Sequence, residues 1–380
     1  MPVLRLDSMV EDVVVQGVRR RLRQGFSTGT TASAAAKAAL WALRTDAVPA
    51  EVEVPLPAGR RAVLAVVRVE QVSGGVRAIV TKNGGDDPDA THGAEIIATV
   101  RPKPDGLLIL GGEGVGRVTR PGLALAVGEA AINPVPRRML RAAVAEALLG
   151  AGRQMLGAVV EISVTDGEHI AQSTWNPRVG IEGGISILGS TGIVRPYSLA
   201  AWRASVIQAL RVAAAGDADM VVLCPGAMSH QAAQAIFSDL PGWAFVEIGG
   251  FLGEALQTVA RDGRIRRVAV VGMMGKLSKL AAGQMGLSAR DSSVDLDALA
   301  SLAAEAGLPA PTVAAIRQAP TARAAADLAL AVGADRFFHA LLRRADAVVA
   351  SQIGRPVRVQ TVLLSPEGAV WARSGTGPGA

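Results

Sequence analysis

At 380 residues the chain exceeds the size at which one hydrophobic core stops growing, so two domains are expected. Half of it is hydrophobic, too much for a disordered chain, and the 3% aromatic content leaves few platforms on which nucleic-acid bases could stack. Thirty-nine basic residues against 33 acidic give a formal charge of +6, and nearly all the basic ones are arginines, which codon bias in a GC-rich genome would also produce, but whose planar forks bind carboxylates or phosphates. The partner to expect is an anionic small molecule, not nucleic acid.

Cys224 is the only cysteine, which excludes an intramolecular disulfide and a cysteine-rich metal site. Residues 1–25 mix acids, bases and short apolar stretches and read as a poorly specified leader, unlike a signal peptide. Nowhere do about 18 uncharged apolar residues run together, so no membrane partner is expected and the cytoplasm is the expected compartment. Oligomeric state stays open between a monomer and a homo-oligomer.

From Phe26 the text changes: Ser27, Thr28, Gly29, Thr30 and Thr31 precede the Ala-rich run Ala32–Leu43, a helix-start signal. β-Branched runs follow at Glu51–Val54, Ala62–Val69, Arg77–Thr81 and Leu107–Leu110, then a helix at Arg137–Leu149 and a strand at Val159–Val164. Strands in a block with two helices predict an α+β domain over residues 1–184. The remainder, 185–380, alternates: strands at Ser186–Leu188, Met220–Leu223, Ala244–Ile248 and Arg267–Val271 interleave with helices at Leu199–Ala215, Gln231–Phe237, Leu252–Arg261 and Leu277–Ala282. Helical stretches Leu296–Ala306 and Ala322–Arg344 and a strand pair at Val357–Leu364 and Ala369–Ala372 close the chain. Such alternation predicts an α/β domain, a parallel sheet with helices on both faces.

Several segments carry chemical potential. The helix start offers N–H groups and hydroxyls to an anion, with Gly29 permitting close approach, although a plain capped helix reads the same way. The stretch from Lys82 to His92 packs Asp86, Asp87, Asp89 and His92 into seven residues, enough for a general base or a cation, or for a solvated turn. It lacks the calcium-loop spacing, and the four histidines show no metal-ligand spacing, so no metal is expected. Gly111-Gly112-Glu113-Gly114-Val115-Gly116-Arg117 follows a strand but misplaces the third glycine of a dinucleotide fingerprint. Asn133-Pro134 and Asn176-Pro177-Arg178 punctuate loops, and Gly183-Gly184 opens the densest glycine region. Val268–Val271 running into Gly272-Met273-Met274-Gly275-Lys276 has the form of a ligand crevice at a strand end, which Cys224-Pro225-Gly226 on a neighbouring strand would share. It is no P-loop. By themselves these residues indicate an α/β enzyme acting on an anionic small molecule.

In order along the chain, GFSTGTTASAAAKAAL, NGGDDPDATHG, GGEGVGRVTRPGL, AINPVPRRM, WNPRVGIEGGISILGSTGIVRPYS and VGMMGKLSKLAAG span positions 25 to 283. The series resembles the cobalt-precorrin-5B C1-methyltransferases of the anaerobic route to cobalamin. The resemblance implies an α+β domain followed by a Rossmann-like α/β domain. It also implies methyl transfer from S-adenosylmethionine to C1 of a polycarboxylated tetrapyrrole. On this expectation Asp87, Glu113 and His92 are the catalytic candidates. Thr28, Gly29, Thr30, Arg117, Asn133, Asn176 and Arg178 would hold the substrate, and Gly183, Gly184, Gly226, Gly272, Gly275 and Lys276 the methyl donor.

Overall fold

The computed structural model describes residues 3–15, 17–150, 152–216, 219–289, 292–333 and 335–375. They fall into two compact units, 1–199 and 200–380. The sequence reading divides the chain at 184/185. In the structure strands Gly184–Ile185 and Ile193–Val194 pair with Gly114–Val115 and Gly25–Phe26, which carries the stretch up to residue 199 with the first unit.

The first unit is built on a five-stranded sheet of Arg68–Val72 (β1), Gly75–Thr81 (β2), Glu95–Lys103 (β3), Gly106–Gly111 (β4) and Gly157–Val164 (β5), in the order β4-β5-β3-β2-β1. Only the β4–β5 pair is parallel. Helix α1 (Thr28–Thr45) packs against β2 and β3 and beside α2 (Pro134–Leu149). Alternate residues Val76, Ala78, Val80, Ile96, Ala98, Val100, Ala158, Val160 and Ile162 are buried with the helices, as the period of two in a strand requires. Ala32, Ala34, Ala35, Ala36, Ala38 and Ala39 of α1 are all fully buried. Their small side chains let the helix be enclosed on every side. A short helix α3 (Gly167–Gln172) follows β5.

Three expectations are corrected here. Residues Val10–Val15 and Val18–Arg23 form an antiparallel hairpin and Val3–Leu4 joins a sheet with Arg61–Ala65 and Glu51–Pro55, so the N-terminal stretch is structured. The run Ala62–Val69 is two strands, ending at Ala65 and resuming at Arg68. Strand β3, the central strand of the sheet, is not among the strands expected from the sequence, because its Arg101-Pro102-Lys103 end obscures the apolar alternation before it.

The second unit holds Met220–Cys224 (β6), Phe245–Glu247 (β7), Arg267–Met273 (β8), Arg358–Leu364 (β9) and Val370–Arg373 (β10), in the order β7-β6-β8-β9-β10. The first four strands are parallel and β10 is an antiparallel edge. Strands buried on both faces need continuous apolar runs, and Met220–Cys224 and Val268–Val271 supply them. On one face Met220, Val222, Cys224, Ala269, Val271, Val362 and Leu364 cluster with Ala233 of the helix Ala227–Ile236. On the other, Thr361 Oγ1 donates to the Leu342 carbonyl of the helix Asp335–Ile353. The predicted helix over 322–344 is two, Ala322–Leu330 and Asp335–Ile353, parted at Gly333 in the left-handed region, and Ala310–Arg317 adds another. No helix among the described residues is long and apolar enough to cross a membrane.

Candidate active site

The acidic loop lies against the strand that leads into α1. Phe26 N–H donates to the Asn83 carbonyl, and a Cβ on Gly25 would come within 2.2 Å of the Gly84 carbonyl carbon. Gly25 is therefore there for backbone contact. Within the loop the four ionisable residues take different roles. Asp86 accepts from the Arg23 backbone N–H and from its guanidinium at 2.7 Å, which holds the carboxyl below its ordinary range. Asp89 accepts from Lys82 at 2.6 Å and from the Thr91 N–H and hydroxyl. Lys82 is 1% exposed and Asp89 25%, so the cation of this pair is buried and its partner partly so. Burial pushes the Asp89 carboxyl up, but Lys82 and Thr91 outweigh it and the net shift is downward. His92 is exposed and its Nδ1 accepts from the Gly84 N–H.

That leaves Asp87. Its Oδ1 accepts from the backbone N–H of Tyr197 at 2.8 Å. Burial raises its pKa above the ordinary carboxylate value, with Asp89 nearby adding to the effect. Of the loop's carboxylates it is the one with no cation bonded to it among the described residues, and a raised carboxyl is what proton transfer near neutrality calls for.

The helix start is closed. Thr28 and Thr30 are 3% and 0% exposed. Thr28 Oγ1 donates to the Ser186 carbonyl and accepts from the Leu188 N–H, Gly29 N–H donates to the Leu188 carbonyl, and Thr30 Oγ1 donates to the Gly192 carbonyl at 2.6 Å. The groups expected to hold an anion lock the 186–192 loop onto α1 instead. Asn133 is the N-cap of α2 without a side-chain cap bond, and its N–H donates to the Ile187 carbonyl. Asn176 is buried, donating to the Gly184 carbonyl and accepting from Ser186. Arg178 lies over the Trp175 ring at 5.4 Å.

Glu113, Arg117 and Gly183 do come together, in a cleft of about 780 Å³ within the first unit. Asp166, Glu168, His169 and Glu182 line it as well. Sequence reading does not single these out; the signal available is the Thr165-Asp166-Gly167-Glu168-His169 run directly after β5. Four carboxylates face one arginine and one histidine, a lining that attracts a cation and repels a polycarboxylate. Gly114, Gly167 and Gly184 beneath it are packing glycines: a Cβ on Gly184 would sit 2.2 Å from the Gly114 carbonyl oxygen, and one on Gly167 equally close to it. Gly183, at φ +76°, has open space instead.

In the second unit Gly226 caps the helix after β6, Gly272 lies in β8, and Gly275 and Lys276 open the helix Met274–Ala281. A Cβ on Gly226 or Gly275 would meet nothing within 4 Å. Lys276 Nζ donates to the Leu287 carbonyl. Among the described residues no group of three or more His, Cys, Asp or Glu side chains is arranged to hold a metal ion.

Known proteins resemble the chain over most of its length. The family model for CbiD matches residues 15–196, and that for the CbiD C-terminal domain matches residues 287–375. A protein of Salinispora arenicola (strain CNS-205) named cobalt-precorrin-5B C(1)-methyltransferase is 50% identical over 335 residues, covering 88% of this chain and 86% of its own. A relative of the same name from Geobacillus kaustophilus (strain HTA426) is 46% identical over 351 residues, 92% of this chain and 94% of its own. The crystal structure of cobalamin biosynthesis protein (cbiD) from Archaeoglobus fulgidus is 30% identical, covers 72% of this chain and 84% of its own, and has a TM-score of 0.38.

Proposed function

The chain belongs to the CbiD family of cobalt-precorrin-5B C(1)-methyltransferases, and on that premise we propose that it transfers a methyl group from S-adenosylmethionine to C1 of cobalt-precorrin-5B, giving cobalt-precorrin-6A in cobalamin biosynthesis. The observation that carries this reading is 50% identity to a protein of that name through 88% of the chain.

S-Adenosylmethionine supplies a methyl group already activated on a positively charged sulfur. What remains for the chain is to hold the reactants, align them and keep water out. The carboxylate-lined cleft of the first unit fits a cationic donor by its chemistry: Glu113, Asp166, Glu168 and Glu182 are acceptors for an ammonium and a sulfonium, and Gly183 leaves room beside them. Its volume suits a ligand of that size. Asp87 is the group that takes or holds a proton, because burial keeps it more basic than its neighbours. Arg178, exposed and steadied by Trp175, is suited to a substrate carboxylate. The same role for Arg117 is opposed by the acids around it.

We read the second unit as Rossmann-like. Its strand order reverses between β6 and β8, where ligands of open α/β sheets bind. That favours a second reading, with the donor at Gly226, Gly272 and Gly275. Calorimetric titration of S-adenosylhomocysteine into Glu113→Gln and into Gly226→Leu separates the two, since each variant weakens binding under one reading only. The activity itself is tested by incubating the protein with cobalt-precorrin-5B and methyl-labelled S-adenosylmethionine. Absence of label in the tetrapyrrole overturns the proposal.

A further inference from the structure

The second unit contains a cleft of about 680 Å³, which the reading with the donor in the first unit leaves without a ligand. It lies at the carboxyl ends of β8 and β9, where Met273 and Leu364 form part of its wall. Its character is the reverse of the first unit's cleft. The described lining is mostly apolar, carries Lys276, Lys279 and Arg323, and includes no carboxylate.

Two features go beyond an ordinary gap between helices. Lys279 is 5% exposed, yet its ammonium is held by the neutral carbonyls of Ser288 and Ser292. A buried cation held by neutral acceptors is costly to keep and projects its charge into the space beside it. Trp371 is the second feature. In the β9–β10 pairing Leu363 faces Ala372 and Leu364 faces Val370, so Trp371 is the extra residue of a bulge. Bulges re-aim side chains. This one sets the indole against the buried Phe338 ring at 5.8 Å while the tryptophan also lines the cleft. The result is a braced aromatic surface beside three cations. Arg323, exposed at the mouth, is only loosely engaged with Asp327 at 3.8 Å.

A flat conjugated ring with carboxylates on its rim matches that combination. We propose that this cleft seats one edge of the tetrapyrrole substrate, its ring plane against Trp371 and its peripheral carboxylates toward Lys276, Lys279 and Arg323. This rests on the methyltransferase reading and adds to it the place where the macrocycle is gripped. The methyl donor, a net cation, is disfavoured there by the same charges.

The test uses the full chain and two probes, the stable corrin polycarboxylate cobyrinic acid and S-adenosylhomocysteine, titrated calorimetrically. In Trp371→Leu the affinity for cobyrinic acid falls about tenfold, the scale of one lost aromatic stack, and S-adenosylhomocysteine binding is unchanged. Trp371→Phe recovers most of the loss. Arg323→Glu, an exposed change that spares the core, weakens cobyrinic acid and flattens its salt dependence, so the charge component stands on its own if Trp371→Leu fails to fold. Loss of S-adenosylhomocysteine in place of cobyrinic acid assigns the cleft to the donor and overturns the proposal, as does wild-type affinity for both probes in Arg323→Glu and the folded Trp371 variants. Failure of the wild-type protein to label its substrate would instead remove the methyltransferase reading.

Discussion

Asp89→Asn separates the structural from the reactive acids of the loop. The substitution keeps the shape of the side chain and its capacity to accept from Thr91, but removes the charge facing Lys82 Nζ at 2.6 Å. Lys82 is 1% exposed and cannot turn to solvent. Stranding one partner of a buried pair costs about 3–5 kcal/mol. In a unit of this size each kcal/mol lowers Tm by about 2–4 °C, so the loss is roughly 6–20 °C. Asp86→Asn is the control: its partner Arg23 has a side chain 68% exposed, and the change moves Tm little. Lys82→Met combined with Asp89→Asn recovers most of the loss, because the stranded charge is gone. Differential scanning calorimetry at neutral pH measures all three. The Asp89 carboxyl is held below its ordinary value, so its contribution is present above the unfolded-state pKa and disappears as pH falls through the folded one. Equal Tm for Asp89→Asn and Asp86→Asn would refute the assignment of Lys82–Asp89 as a buried strut.

Asp87→Asn slows methyl transfer by about 10²–10⁴-fold if Asp87 handles the proton. Because its pKa is raised, the acid limb of the wild-type rate profile lies above the ordinary carboxylate value of 3.8 and vanishes in the variant; a profile identical in both denies the role. Asp346 has its Oδ1 buried without a partner among the described residues, and burial raises its pKa. Its folded form favours the proton, so wild-type stability falls as pH rises from 3.8 through the raised value. Asp346→Asn should therefore melt higher at neutral pH and converge at low pH, measured as Tm against pH. The Cys224 thiol, fully buried with its pKa pushed well up by burial, should resist a thiol reagent in the native state and react only as the second unit unfolds; rapid native labelling would contradict the packing. Gly184→Ala should destabilise the first unit strongly while Gly275→Ala leaves Tm unchanged, by the same calorimetry.

The second unit was the more legible half. Helices Leu199–Ala215 and Leu252–Arg261 have the ends read from the sequence, and the alternation of apolar runs with amphipathic stretches called for parallel strands, as β6, β7, β8 and β9 are. The expected first strand, Ser186–Leu188, instead lies in the first unit, where Ile187 makes only an isolated bridge to Ile132. Local periodicity suffices where each strand is followed by its own covering helix. The first unit resists such reading, because its pairings are distant: β4 lies beside β5, some fifty residues away, and Gly25–Phe26 pairs with Ile193–Val194. Nothing local in Val10–Val15 and Val18–Arg23 required a hairpin, since much of it is exposed and charged. Among the candidate site residues, Glu113, Arg117 and Gly183 share a cleft, whereas Asp166, Glu168 and His169 reach it from beyond β5 with no motif to announce them.

Glycines and hydroxyls were the most ambiguous letters, for one physical reason. A glycine permits the close approach of anything, and the sequence does not say whether that is a ligand or another part of the same backbone. Gly25, Gly114, Gly167 and Gly184 each face protein backbone at 2.0–2.2 Å from where a Cβ would be, so loops far apart in sequence fuse there. Gly183, Gly226 and Gly275 face open space. Likewise Thr28 and Thr30 read as anion donors until their acceptors, the carbonyls of Ser186 and Gly192, are known. The motif-dense segments are thus largely the rivets of the first unit, and the chemistry falls to residues outside those rivets: Asp87, the cleft acids and, in the second unit, the cleft beside Trp371. Changes to the rivets should alter stability before they alter affinity, and changes to the cleft-lining groups the reverse.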